Sequence, residues 1–148
     1  MKPLTPMERL REQAEEQLDR TTQLLGSVRR SCLQAQAQLS QLQQYQREYQ
    51  QQLVSRAAGS GIPAAHLANF QGFIQSLDRA AQQCGDHVKA CEQAVEQALG
   101  DWRNDRRRLN AFATLTRRAE EAAKAHENRQ QQKIMDEFAS QRFARNQT

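Results

Sequence analysis

The chain is poor in the residues that fill globular cores. Only eight of its 148 residues are aromatic, and Leu, Ile, Val and Phe total 26, about 18%, a share at which disorder has to be considered. No run of consecutive apolar residues exceeds three, so no membrane span is expected. The opening MKPLTPMERL lacks the apolar core of a secretory signal, and a cytoplasmic protein is expected. GxxxxGKS/T, GxSxG, HExxH and CxxC are all absent, which leaves nucleotide hydrolysis, acyl transfer and zinc hydrolysis without their usual groups. No catalytic residue, cofactor or metal is expected. Three cysteines cannot all pair within the chain, and small apolar thiols in a reducing compartment are their ordinary reading.

What is abundant is helix former. Ala, Glu, Lys, Leu and Arg supply 67 residues and Gln another 24, roughly 60% together. After Pro6 there is one strong break, RAAGSGIPAA from Arg56 to Ala65, with Gly59, Gly61 and Pro63 inside it. On both sides the apolar residues recur at alternating steps of three and four. The upstream stripe is Ala14, Leu18, Thr21, Leu25, Val28, Cys32, Ala35, Leu39, Leu42, Gln46, Tyr49 and Leu53. The downstream stripe is Phe70, Ile74, Leu77, Ala81, Cys84, Val88, Cys91, Val95, Ala98, Trp102, Asp105, Leu109 and Phe112. Only Thr21, Gln46 and Asp105 break the apolar pattern, and the period is close to the coiled-coil value of about 3.5.

Folded back at the break, the two series mirror each other, because facing positions sum to 123: Leu53 with Phe70, Leu39 with Cys84, Cys32 with Cys91, Val28 with Val95. The fold class this predicts is all-α, a long antiparallel two-helix coiled-coil hairpin. It would be one domain over 1–148, with a helix over about 6–56, a turn over about 57–65 and a helix over about 66–145. Forty-odd paired residues at 1.5 Å rise make a rod about 65 to 75 Å long. The register ends with Met7 opposite Thr116, so the longer carboxyl-terminal helix should overhang from Arg117 onward, with Ile134, Met135, Phe138 and Phe143 in need of a partner.

Local signals agree. Thr5, Pro6 and Glu8 read as cap, first-turn proline and capping box, and Glu8, Glu12, Glu15 and Glu16 suit the positive end of the helix dipole. Gly26 reads as a mild interruption lying off the stripe. Between Gln34 and Gln52 ten of nineteen residues are Gln, but Leu39, Leu42, Tyr45, Tyr49 and Leu53 keep helical spacing, so this is a solvated face.

Three groups of residues are candidates for chemistry or binding. Cys84, His87 and Cys91 at i, i+3 and i+7, with Cys32 across the hairpin, have a donor set that zinc accepts, but three of the four complete an apolar seam without a metal. Asp101 to Arg118 carries six basic residues against two acidic ones, including Arg103, Arg106, Arg107 and Arg108. With the pI near 9.3 this could track nucleic-acid phosphates, though a net charge of +4 on long helices suits a solvated face or an acidic protein partner better. Tyr45, Tyr49, Phe70 and Phe73 lie within about four turns of the break on both helices, with Tyr45 and Phe73 beside the seam. They either form an exposed binding patch or seal the hairpin tip.

LLGSVRRSC at Leu24 to Cys32, YQREY at Tyr45 to Tyr49, NFQGFIQSL at Asn69 to Leu77 and MDEFA at Met135 to Ala139 resemble the flagellar export protein family FliJ. Trp102 with Arg103, Glu127 with Arg129 and Gln132 with Lys133 also fall where that family has them, and the heptad does not dictate them. The resemblance implies a non-enzymatic component of the bacterial flagellar type III export apparatus, an antiparallel coiled coil similar to the central stalk of rotary ATPases. It implies contacts with the export ATPase FliI through the end bearing both termini, with the gate protein FlhA and with export chaperones, at the cytoplasmic face of the inner membrane. By matching position the gate-binding surface would be Gln38, Leu42, Tyr45, Tyr49, Phe73, Leu77 and Ala80. Cys84 stands where some members carry a polar residue. Arg103, Arg106, Arg107 and Arg108 are candidates for the ATPase contact, on which no sharp motif bears. The alternatives at this point are a generic helical adaptor or chaperone and a basic coiled coil that binds nucleic acid.

Overall fold

The computed structural model describes residues 4–147. Among them the regular elements are two helices, α1 (Pro6–Ala58) and α2 (Ala64–Asn146), packed against each other as an antiparallel hairpin. At 83 residues against 53, α2 is the longer helix, in agreement with the fold expected from the sequence. No described helix is long and apolar enough to cross a membrane.

The start of α1 is fixed by a reciprocal capping box. The Thr5 hydroxyl accepts the Glu8 N–H at 3.2 Å, and the Glu8 carboxylate accepts the Thr5 N–H at 3.0 Å. Pro6 occupies the first helical position, where its missing N–H is not needed. At the break both helices run further into the turn than 56 and 66. Ala57 and Ala58 extend α1 and Ala64 and Ala65 open α2, because alanine costs a helix nothing. The Gly59 N–H still reaches the Ser55 carbonyl at 3.2 Å, and the Pro63 carbonyl accepts the Leu67 N–H at 3.0 Å. The reversal is concentrated at Gly61, whose φ of +76° is the left-handed conformation that glycine adopts without a Cβ penalty.

The chain divides into two compact units, one formed by Asp19–Asn104 and one by Met1–Leu18 with Asp105–Thr148. In the Asp19–Asn104 unit every stripe position on both helices is buried or half-buried, including the polar Thr21 and Gln46. Cross-hairpin partners follow the mirrored register. Tyr49 with Phe73, Gln46 with Asp78, Thr22 with Trp102, Ala35 with Cys84 and Gln36 with Glu92 have residue numbers summing to 122, 124, 124, 119 and 128. All five sums fall within five of the expected 123. The buried core of this unit is Leu25, Cys32, Ala35, Val88 and Ala98 with Thr21, and no described side chain is fully enclosed. Gly26, off the stripe, is half-buried, and a Cβ there would lie 3.5 Å from a guanidinium nitrogen of Arg30 on the same helix.

In the other unit Ala14 is buried and Met7, Leu18, Asp105, Leu109, Phe112 and Thr116 are half-buried. From Arg117 to Gln147 every described residue is exposed, the boundary at which the mirrored register runs out of upstream partners. Thr148, the last residue of the expected overhang, lies outside the described residues. Ile134, Met135, Phe138 and Phe143 are each at least 64% exposed, so these large apolar side chains are left largely to water.

Candidate protein interaction surface

Near the turn, four aromatic side chains divide into two kinds. Tyr49 and Phe70 occupy stripe positions and are half-buried, whereas Tyr45 and Phe73 lie beside the stripe and remain 42% and 45% exposed. Phe73 is not an isolated ring. Its centroid lies 4.5 Å from that of Tyr49 with the planes at 48°, a tilted arrangement that aromatic quadrupoles favour. The guanidinium of Arg56, in the last turn of α1, sits 5.2 Å from the Phe70 ring centroid and covers the face that the seam leaves open. Tyr45 and Phe73 thus stand exposed beside the seam, and Tyr49 and Phe70 lie within it.

Polar groups hold this face in place. The Gln46 side chain donates to the Asp78 carboxylate at 2.7 Å across the hairpin, satisfying a seam position that could not be filled by apolar contact. Gln41 donates to the Tyr45 hydroxyl at 3.2 Å along the same helix, which orients the ring without tying it to α2. Of the remaining residues picked out on the sequence, Gln38 is exposed and Leu42, Leu77 and Ala80 are half-buried, all in the Asp19–Asn104 unit. Arg56 and Asp78 were missed. The seam position of Gln46 was the signal for Asp78, and an arginine in the last turn, two residues before the helix end, was the signal for Arg56.

The basic block is less concentrated than its spelling suggests. Arg103 is exposed on the Asp19–Asn104 unit. Arg106, Arg107 and Arg108 are exposed on the other, and successive residues turn about 100° around the axis, so the three fan over about 200° instead of forming one face. Trp102, just before the block, is half-buried, and its indole N–H donates to the Thr22 hydroxyl at 3.0 Å.

The family described as Flagellar FliJ protein matches residues 1–148. The chain belongs to the FliJ family. It is 42% identical over 133 residues to the Flagellar FliJ protein of Salmonella typhi, an alignment covering 90% of each chain. It is 42% identical over 130 residues to the Flagellar FliJ protein of Escherichia coli strain K12, covering 88% of each.

The seam of this FliJ-family hairpin carries three free thiols, Cys32 buried and Cys84 and Cys91 half-buried. The Cys84 thiol donates to the Ala35 carbonyl at 3.8 Å, and Cys91 Sγ lies 3.6 Å from His87 Nε2. Burial pushes the Cys32 thiol above its ordinary value, and the nearby Cys91 and Glu92 add to the rise. Among the described residues no group of three or more His, Cys, Asp or Glu is placed to hold a metal ion.

Proposed function

We propose that this chain is a stalk-like component of the bacterial flagellar type III protein export apparatus, working by binding and not by catalysis. The observation that carries the reading is the FliJ-family match over residues 1–148. In this reading the face with Gln38, Leu42, Tyr45, Tyr49, Phe73, Leu77 and Ala80 binds the export gate protein FlhA. The exposure of Tyr45 and Phe73 supports it, since large rings left half in water favour association.

The end carrying both termini engages the ring of the export ATPase FliI, with Arg103, Arg106, Arg107 and Arg108 as candidate contacts. Exposed Ile134, Met135, Phe138 and Phe143 on an unpaired helix support a partner there. Export chaperones complete the set of partners, and the protein works at the cytoplasmic face of the inner membrane, with no nucleic acid involved. A pull-down from a flagellated host, combined with stimulation of the cognate ATPase by the purified chain, tests the proposal. Recovery of gate protein and ATPase with stimulated hydrolysis is expected. Absence of both partners, or binding to DNA with a steep salt dependence, would reject it.

A further inference from the structure

The seam around Ala35 is narrow enough for one helix to touch the backbone of the other. The Cys84 thiol on α2 reaches the Ala35 carbonyl on α1 at 3.8 Å, and Ala35 is only 2% exposed. Two turns along the same seam, Cys91 faces Cys32, at a level bracketed by the Cys84 to Ala35 and Trp102 to Thr22 hydrogen bonds. The two thiols differ in their surroundings. Cys91 is half-buried, so solutes can reach it, and the His87 imidazole nitrogen 3.6 Å away is placed to take its proton in the tautomer protonated on Nδ1. Cys32 is buried between the helices.

We propose that Cys32 and Cys91 are a peroxide-oxidised disulfide site that staples α1 to α2. The Cys91 thiolate, its proton passed to His87, attacks one oxygen of hydrogen peroxide. The O–O bond breaks, the departing hydroxide takes up a proton to become water, and the sulfur is left as a sulfenic acid, oxidised by two electrons. The Cys32 sulfur then attacks the Cys91 sulfur. The S–S bond forms, the S–O bond breaks, and the hydroxyl leaves as a second water with the Cys32 proton. Two thiols and one peroxide become one disulfide and two waters.

Access assigns the roles: peroxide reaches the half-buried Cys91, and the buried Cys32 meets the resulting sulfenic acid from across the seam. Cys84 is excluded as a partner by distance. It stands seven residues from Cys91 on the same helix, about 10.5 Å along the axis, and is displaced as far from the layer that faces Cys32. A disulfide spans Cα atoms only about 4.4–6.8 Å apart.

The experiment treats the purified full-length chain with hydrogen peroxide, alkylates the remaining thiols and maps the peptides without reductant. A Cys32–Cys91 cross-linked peptide is expected, with Cys84 alkylated. The thermal midpoint should rise by about 10 °C, as closing a loop of this length predicts, and dithiothreitol should reverse the rise. Cys84→Ala should keep both the cross-link and the shift, and Cys32→Ala and Cys91→Ala should each abolish them. A bridge that includes Cys84, a mainly intermolecular product, or three alkylatable thiols after peroxide would overturn the proposal.

Discussion

Replacing Phe73 by alanine separates two roles that the same ring plays. A fully buried Phe→Ala change costs about 3–5 kcal/mol, and Phe73 is 45% exposed and opens no enclosed cavity when truncated. Scaling by the covered half gives about 1.5–2.5 kcal/mol, of which about 0.5–1.5 belongs to the tilted stack on Tyr49. For a chain of this length that is a fall in thermal midpoint of roughly 3–10 °C, measurable by circular dichroism. A double-mutant cycle with Tyr49→Ala isolates the stacking part. Binding to the export gate, measured well below the midpoint where the variant is folded, should weaken by more than about 2 kcal/mol, or roughly 30-fold, if the ring is a hot spot. Two results would refute this reasoning. A stability cost under about 0.5 kcal/mol would mean the Tyr49 contact is not formed, and a cost above about 4 kcal/mol would make the ring tip core. Unchanged gate affinity with the expected destabilisation would remove Phe73 from the proposed surface.

Four further perturbations address other parts of the hairpin. Gly85→Ala should stabilise by about 0.5–1 kcal/mol in thermal unfolding, since a Cβ there meets nothing within 4 Å and alanine is the better helix former. Gly61→Ala should destabilise by about 1 kcal/mol or more because of its φ of +76°, and equal effects at the two sites would contradict the assigned turn. Deleting residues 117–148 should leave the thermal midpoint within a few degrees, because every described residue removed is exposed, while weakening stimulation of the ATPase. In a cysteine-free background, a Val28→Cys, Val95→Cys pair should cross-link readily, and pairs offset by one heptad should not, if the mirrored register is correct.

The seam was legible because its signal is binary and repeated. Thr21, Gln46 and Asp105 kept their places in it although each is polar, since twenty-two apolar neighbours at the same spacing leave them no other face. The overhang followed from arithmetic alone. What could not be read was anything decided by rotamers: that Phe73 leans onto Tyr49, that Arg56 lies over Phe70, and that Cys84 turns toward a backbone carbonyl. Sequence spacing places a Cα on a face but does not say which neighbour the side chain meets. The arginine run shows the opposite failure, since residues adjacent in sequence are 100° apart on a helix.

The unpaired stretch from Arg117 to Asn146 has a thermodynamic character of its own. An exposed helix holds itself together largely by local propensity and pairs such as Arg117 with Glu121 at 3.9 Å, each contributing only a few tenths of a kcal/mol. It therefore sits in a helix–coil equilibrium that cools toward order and warms toward coil independently of the seam. Amide protons there should exchange with solvent orders of magnitude faster than those beside Ala35 or Val88. A partner that grips this segment selects its helical fraction, so association carries the heat-capacity change of completing a fold, and its affinity falls with temperature faster than a rigid contact would.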